Sequence, residues 1–310
     1  MTEPIPTPPA PSSSTTSSRL PWTPSTSKAS LSSTALSTDR ELMMDRVRPS
    51  TTPFWSYANV AKTLFYTLDI SARFLISLLF GKGTRARADA LIDGYWRRIV
   101  ASGNARLWAE GRQNFVAGAP YIVMSNHGSL LDIPALMGTV PGSLRMVLKE
   151  ELTRVPVWGQ ALVASGFIPV NRKNRAKAIQ QLEKAKRMLE SGITVWISPE
   201  GTRARDGMLA PFKRGGFYMA IDLGVPIVPA YIDGAETILP PDQWKVLSEG
   251  DVVVRFGAPI PTEGADIATL QRQVRAAILE LSGRGPAIDA ENAGTADTAE
   301  NAAGQLSGTG

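Results

Sequence analysis

The sequence predicts an α/β fold, with a largely parallel central sheet flanked by helices and an amphipathic helical segment in front of it. Two patterns predict this fold. Between residues 85 and 284, short apolar runs alternate with stretches of helical periodicity, which is typical of parallel strands joined by covering helices. Ahead of them, residues 54–80 carry Leu64, Leu68 and Leu75 at helical spacing.

Composition divides the 310 residues into four parts. In residues 1–53, 26 of the first 38 side chains are Ser, Thr or Pro, so this segment has too little apolar surface to offset the entropy of ordering the chain. We predict a disordered segment there, a membrane-associated helix over 54–84, a folded domain over 85–284, and a disordered acidic tail over 285–310.

The 54–80 segment carries three charged residues, whereas a membrane-spanning helix needs about 20 mostly apolar residues. Its aromatic residues suit the depth of lipid headgroups, and basic residues follow it, which favours a helix lying in the membrane interface. The alternative is an ordinary amphipathic helix packed on the domain. The charged residues are Lys62, Asp69 and Arg73, the aromatic residues are Phe54, Trp55, Tyr57 and Tyr66, and the basic residues that follow are Lys82, Arg85 and Arg87.

Within the domain, apolar runs bounded by turn residues predict strands, and capping residues mark one helix, from Asn174 to Gly192. The predicted helices cover 86–102, 129–137, 174–192 and 266–282. The predicted strands are a pair within 106–116 around Gly111, then 121–125, 166–170, 193–198, 227–231 and 252–256.

Charge and composition limit the chemistry. The net charge is +5, but residues 285–310 contain four acidic and no basic residues, so the remainder carries +9. A basic domain favours an anionic partner: a phosphate-bearing substrate, an anionic membrane or nucleic acid. The absence of cysteine excludes disulfides, thiolate metal sites and cysteine nucleophiles, and a single histidine does not favour zinc. We expect no metal.

The single histidine, His127, lies between a predicted strand and a predicted helix, in the run Ser-Asn-His-Gly-Ser-Leu-Leu-Asp that ends at Asp132. Ligands of α/β sheets bind at such strand ends. A carboxylate beside an imidazole fixes its tautomer and makes it a general base. The alternative is a structural histidine, with Asp132 complementing a helix dipole.

Two further segments follow predicted strands. In Ser-Pro-Glu-Gly-Thr-Arg, 198–203, Gly201 lets the backbone approach a ligand and Arg203 offers a planar fork for phosphate. Glu200 has two candidate roles, accepting a hydrogen bond from a substrate hydroxyl or holding Arg203. Arg172, at the end of the 166–170 strand, is a second phosphate candidate. The alternative for 198–203 is a polar turn with a surface arginine.

Together, and in this order, these segments resemble the glycerolipid acyltransferase family over about residues 100–260. Three departures are Gly128, where a larger polar residue is usual, Ser198 in place of an aromatic residue, and Ala204 in place of a serine. The matching segments are Asn126–Asp132, Leu148–Leu152 with Pro156 and Gly159, Gly166–Arg172, Pro199–Arg203 and Val225–Pro229.

The resemblance implies the glycerolipid acyltransferase fold and direct acyl transfer. His127, oriented by Asp132, removes the proton of the acceptor's sn-2 hydroxyl, which attacks the thioester of acyl-CoA or acyl-carrier protein. The implied acceptor is lysophosphatidic acid and the product phosphatidic acid, at the cytoplasmic face of the inner (plasma) membrane, with no cofactor and no nucleic-acid partner. Its glycerol phosphate is assigned to Arg172, Glu200, Gly201, Thr202 and Arg203.

Three alternatives stay open. The same segments would suit another lysolipid or glycerol phosphate as acceptor. A serine hydrolase would pair Ser129 with His127, although the chain contains no Gly-x-Ser-x-Gly sequence. A non-catalytic basic protein that binds nucleic acid or anionic lipid would explain the charge, but not the positions of His127, Asp132 and residues 200–203 after predicted strands.

Overall fold

An eight-stranded sheet in the order β1-β2-β8-β7-β3-β6-β4-β5 organises the protein. The structure is a computed structural model that describes residues 40–44, 53–170, 184–204, 207–243, 246–285 and 289. The strands are β1 (Glu41–Met44), β2 (Ala105–Glu110), β3 (Ile122–Ser125), β4 (Leu144–Lys149), β5 (Ile168–Val170), β6 (Thr194–Ile197), β7 (Ile227–Asp233) and β8 (Gly250–Phe256).

The sheet is mixed: five of its seven described strand pairings are parallel, in line with a largely parallel sheet, and two are antiparallel. Strands β3 to β7 are parallel to one another and β2 is parallel to β8, but β8 runs antiparallel to β7 and β1 antiparallel to β2. The reversal has a local cause. The chain leaves β7 through Gly234, whose φ is +81°, and returns after only one short helix, so no crossover carries it back to the start of the sheet.

Helices cover both faces of the sheet, and β3 shows this residue by residue. Val123 packs in one apolar cluster with α2 and α3, whereas Ile122 and Met124 pack in the other with α5, α6 and α8. The helices are α1 (Pro53–Leu79), α2 (Arg85–Ser102), α3 (Asp132–Thr139), α4 (Trp158–Ala164), α5 (described over 184–190), α6 (Gly215–Leu223), α7 (Ala235–Ile238) and α8 (Ile267–Ser282).

The predicted helices at 86–102 and 266–282 and most predicted strands are confirmed within a few residues. The predicted strand pair in 106–116 is wrong. Both edges of β2 are already paired, with β1 and β8, so no further strand can join it. A 3-10 turn at Arg112–Asn114 follows instead. Gly111 is required there, because a Cβ atom would come within 2.1 Å of the Phe256 carbonyl oxygen.

Helix α1 confirms a single long helix over the 54–80 segment, packed on α2 and α4. Asp69 of α1 lies 3.6 Å from Arg98, near the end of α2, whereas Phe80, just after α1, lines a cavity with Arg87, near the start of α2. The two helices are therefore antiparallel. Among the helices that the structure describes, none combines the length and apolar character that a bilayer crossing requires.

The reversal within the sheet also positions α2. Because β2 is antiparallel to β3, the start of β2 and the end of α2 lie at the sheet edge where β3 ends. A methyl group added at Gly103 would come 3.0 Å from Leu131, just before α3, which places the two connections side by side.

The structure describes only a small part of the predicted terminal segments, residues 1–53 and 285–310. The acidic tail was expected to begin at 285, but the structure places Asp289 in the interior, 3% exposed, with its carboxylate on Arg275 of α8. Most of the residues of 1–53 and 285–310 lie outside the described residues, as do Arg172 and the predicted cap Asn174.

Candidate active site

The predicted site segments meet at one edge of the sheet. Strands β3, β6 and β7 are adjacent and parallel, so their carboxyl ends lie side by side. His127 follows β3, Glu200 follows β6 and Glu236 follows β7. A hydrogen bond joins the loops after β3 and β6, since the amide of Ala204 donates to the His127 carbonyl at 2.8 Å. This is where α/β sheets place their ligands.

His127 and Asp132 form a hydrogen-bonded pair, with 2.8 Å between the imidazole Nδ1 and the Asp132 Oδ2. The same oxygen accepts the amides of Gly128 and Ser129 at 2.9 and 2.8 Å. An ionised carboxylate only accepts, so this network assigns the proton of the neutral imidazole to Nδ1. Nε2 then carries the lone pair that a general base needs. The His127 side chain is 16% exposed and that of Asp132 is 2% exposed.

The local sequence forms this geometry through a turn that precedes α3. The Ser129 hydroxyl oxygen accepts the Leu131 amide at 3.1 Å and donates to the Leu239 carbonyl at 2.7 Å. The helix therefore begins at Asp132, three residues later than the sequence predicts. Ser129 is fully buried and its hydroxyl proton is used, which disfavours the alternative of a serine nucleophile.

Two side chains that sequence reasoning left without a role hold the His127 segment. The Asn126 amide extends the pairing of β3 with β7, since it exchanges hydrogen bonds of 2.9 and 2.8 Å with the backbone of Ile232. Trp196 of β6 meets the imidazole edge-on, with ring centroids 5.3 Å apart. Its ring nitrogen donates to Ser125 at 2.9 Å. Trp196 contacts His127 because β6 lies next to β3, and the sequence does not reveal which strands are neighbours.

Glu200 is directed to the backbone of the site, neither into solvent nor toward Arg203. One oxygen accepts the His127 amide at 3.2 Å and the other accepts the Ala210 amide at 2.9 Å. The side chain is 2% exposed. Burial raises the pKa of its carboxyl group to about 7, although the two backbone donors and the charges of His127 and Arg275 oppose the shift. Glu200 thus joins the loops that follow β3 and β6.

The other residues of the predicted phosphate site have separate positions. Gly201 adopts φ +71°, a conformation that glycine accommodates, and its amide donates to Ser198 at 3.1 Å. Thr202 is exposed. The Arg203 guanidinium donates from Nη1 to the Pro241 carbonyl at 2.6 Å, and the group has five N–H donors in all.

A second carboxylate, from Glu236 of α7, stands beside the His127 segment. A Cβ atom at Gly128 would lie 2.9 Å from the Glu236 Oε2, so the two positions share one space. Burial, and then the charge of Asp132, raise the pKa of Glu236. The sequence marked Gly128 as smaller than usual, and the structure shows which side chain occupies the space.

Comparison with known proteins agrees with this fold. Residues 106–233 match a family model described as Acyltransferase. The human 1-acyl-sn-glycerol-3-phosphate acyltransferase alpha is 35% identical over 180 residues, which are 57% of this chain and 63% of that protein. The chain therefore spans less than two thirds of that relative. The human beta form is 30% identical over 235 residues, which are 73% of this chain and 84% of that protein.

Among solved structures, the chain is similar to the 1-acyl-sn-glycerophosphate (LPA) acyltransferase PlsC from Thermotoga maritima. The TM-score is 0.64 and the sequence identity 25%, and the similarity covers 74% of this chain and 96% of that one. The same α/β fold, the matched segment that contains His127 and Asp132, and the extent of the human beta match lead to one conclusion. The chain belongs to the glycerolipid acyltransferase family.

Proposed function

We propose that the protein transfers a fatty acyl group from a thioester, acyl-CoA or acyl-carrier protein, to the sn-2 hydroxyl of 1-acylglycerol 3-phosphate, giving phosphatidic acid. The pair of His127 and Asp132 carries this proposal. Its imidazole follows β3 at the sheet edge where α/β folds bind ligands, its Nε2 carries the lone pair of a base, and a buried carboxylate fixes its tautomer. The names of the relatives support the choice of acceptor.

The reaction needs one proton carrier. His127 Nε2 takes the hydroxyl proton as the acceptor oxygen bonds to the thioester carbonyl carbon. The resulting imidazolium is stabilised by Asp132, whose Oδ2 lies 2.8 Å from Nδ1. Collapse of the tetrahedral intermediate breaks the carbon–sulfur bond, and the departing thiolate takes the proton from His127. The imidazole returns to its starting state, and no acyl group is attached to the protein.

The phosphate of the acceptor is assigned to the residues after β5 and β6. Arg203 and the backbone at Gly201 and Thr202 stand at the same edge as His127, and Arg172 follows β5 in the sequence. A guanidinium fork matches the geometry of a phosphate oxygen pair. Glu200 contributes indirectly, by holding the loops on which His127 and Arg203 lie.

We further propose that α1 lies in the membrane interface, at the cytoplasmic face of the plasma membrane. One face of α1 packs on the domain, whereas the opposite face presents a row of exposed apolar side chains. Soluble proteins rarely expose such a continuous apolar surface. Arg73 and, beyond the helix, Lys82 and Arg87 border this row, as anionic headgroups would require. The row consists of Leu64, Phe65, Leu68, Ile76, Leu79 and Phe80.

The assay for the proposed function is thiol release by the purified, detergent-solubilised protein. We expect release from acyl-CoA or acyl-carrier protein to depend on added lysophosphatidic acid and to be matched by phosphatidic acid formed. Parallel reactions with other lysophospholipids and with glycerol 3-phosphate identify the preferred acceptor. Thiol release that is absent with both donors and every acceptor would contradict acyl transfer.

Replacing Leu64, Phe65 and Leu68 together with serine should release the protein from membranes. If each side chain contributes about 1 kcal/mol by partial burial, affinity for phosphatidylglycerol vesicles falls about 100-fold. Sedimentation with vesicles measures the change. The matched control replaces Val116 and Leu247, which are 63% and 55% exposed but lie outside α1. Equal loss in the control, or wild-type binding of the α1 variant, would argue against this surface.

A further inference from the structure

A buried arginine on α8, which follows the matched residues 106–233 in the chain, organises the segment of residues 209–212. Arg275 is 6% exposed. Its Nη2 donates to the Leu209 carbonyl at 2.6 Å, and its Nη1 donates to the Ala210 carbonyl at 3.0 Å. Its Nε donates to Asp289 Oδ1 at 2.9 Å, and Nη2 contacts the same oxygen. The planar group thus holds two consecutive carbonyls and one carboxylate at once.

Asp289 completes the arrangement in two ways. Its carboxylate pairs with a buried guanidinium, and proteins pair the charges that they bury. Its backbone also forms a parallel bridge with Leu209. The ring of Phe212, whose centroid lies 5.1 Å from the Arg275 Cζ, covers the guanidinium. Residues 209–212 are therefore fixed from several sides by groups that lie late in the chain.

Two hydrogen bonds, both accepted by Glu200, connect this segment with the loop that carries His127. The Ala210 carbonyl accepts from Arg275, while the Ala210 amide donates to Glu200 at 2.9 Å. The other Glu200 oxygen accepts the His127 amide. The positive charge of Arg275 also lowers the pKa of Glu200, against the effect of burial. A continuous path therefore leads from α8 to the backbone of the general base.

We propose that Arg275 and Asp289 are positioning residues for the active site: they fix residues 209–210, through them the carboxylate of Glu200, and thereby the His127 loop. This rests on the proposed function, and it makes a late part of the chain, up to Asp289, a support of the catalytic edge. Apolar contacts of Leu270, Val274 and Ile278 already attach α8 to the core. An ion pair adds little to such an attachment, but its fork geometry fixes an orientation.

The test uses full-length Asp289→Asn, Arg275→Lys and Arg275→Met, with Arg272→Met as control. Arg272 lies on the same helix but is exposed, and its Nη2 donates to the Thr269 hydroxyl at 2.9 Å, within α8 itself. We expect kcat to fall about 10-fold to 100-fold in Arg275→Met, as for other small misplacements of catalytic groups. Arg275→Lys should retain more of the wild-type kcat than Arg275→Met does. The control Arg272→Met should keep the wild-type kcat.

Two readouts separate positioning from general destabilisation. The acidic limb of the kcat/KM profile should move to higher pH in Arg275→Met, because Glu200 loses a nearby positive charge and its ionised form is the one that accepts both amides. The double variant Arg275→Met/Asp289→Leu removes both charges and keeps apolar packing. It should retain the wild-type melting temperature more closely than Arg275→Met and still show the lowered kcat. An unchanged kcat and pH profile in folded Arg275→Met would overturn the proposal.

Amide hydrogen exchange tests the same path without turnover. The amides of residues 127–129 should exchange faster in Asp289→Asn and at the wild-type rate in Arg272→Met. Unchanged exchange at 127–129 would overturn the positioning role whether or not the wild-type protein transfers acyl groups. An inactive wild-type protein with faster exchange in Asp289→Asn would instead contradict the proposed function alone.

Discussion

Replacing His127 with alanine should remove acceptor-dependent transfer while the fold is retained. The imidazole is partly exposed, and its Nδ1 contacts the carboxylate of Asp132, which keeps two backbone donors in the variant. The loss is therefore chemical. A positioned general base contributes about 10²–10⁴ in rate, and this chain contains no second histidine to replace it. Thiol release in the presence of lysophosphatidic acid measures the loss, and circular dichroism and the melting temperature monitor the fold.

Two companion variants make the result specific. Asp132→Asn keeps the shape of the side chain but no longer enforces the Nδ1–H tautomer, a change that costs about 10⁴ in a serine-protease triad, so we expect a loss of that order or smaller. Ser129→Ala should keep most of the transfer activity, because its hydroxyl is bound to the Leu239 carbonyl and its amide is unaffected. A wild-type rate in His127→Ala would contradict the mechanism. Complete loss in Ser129→Ala with normal folding would restore the serine-hydrolase alternative.

Glu200→Gln should impair both activity and stability. Each oxygen of Glu200 accepts a buried backbone amide, whereas a glutamine has only one oxygen and must place its NH₂ group against the other donor. One unsatisfied buried donor costs about 1–3 kcal/mol. The displaced donor belongs to His127 or Ala210, so the catalytic loop shifts as well. Chemical denaturation and the transfer assay measure the two effects, and Glu280→Gln, an exposed site on α8, is the control.

The pH dependence of stability provides an independent test of the raised Glu200 pKa. Burial raises the pKa of Glu200 from an ordinary 4.5 to about 7, so between these values the folded protein binds more protons than the unfolded chain. The stabilisation that protonated Glu200 adds to the free energy of unfolding is complete below pH 4.5 and is lost as pH rises through about 7. The difference in unfolding free energy between wild type and Glu200→Gln should change by about 3 kcal/mol across that window. A difference that is constant from pH 4.5 to 8 would show that the Glu200 pKa is not raised.

The sequence locates the pair of His127 and Asp132 because its geometry is local. Strand, turn and helix start follow one another between Ile122 and Asp132, and a spacing of five residues is enough to bring the carboxylate back to the imidazole. The role of Glu200 depends on Ala210 and Arg275, which are 10 and 75 residues away in the chain. Sequence patterns mark the residue but not its partners, and neither of its two candidate roles included the backbone amides of His127 and Ala210.

The fold shows the same division between local and distant information. Apolar periodicity finds α2 and α8, whereas β4 is hidden by Arg145, a charge in the middle of an apolar run. That residue is buried because Asp89 of α2 lies 2.8 Å from its Nη1, and burial lowers the pKa of its guanidinium. The direction of β8 likewise depends on where the chain returns after β7. Neither an ion pair between distant elements nor strand direction is encoded in residue spacing.

The antiparallel step between β7 and β8 has a consequence for how the enzyme meets its substrate. It turns β2 around, and so brings the end of α2 to the edge that holds His127, while Asp69 in the middle of α1 pairs with Arg98 near that end of α2. If α1 lies in the membrane interface, His127 binds the acceptor's hydroxyl on the same side of the protein as the lipid that holds its acyl chain. A lysolipid could then react while its tail remains in the bilayer. Turnover would follow the mole fraction of lysolipid in the surface rather than its bulk concentration, as in surface-dilution kinetics.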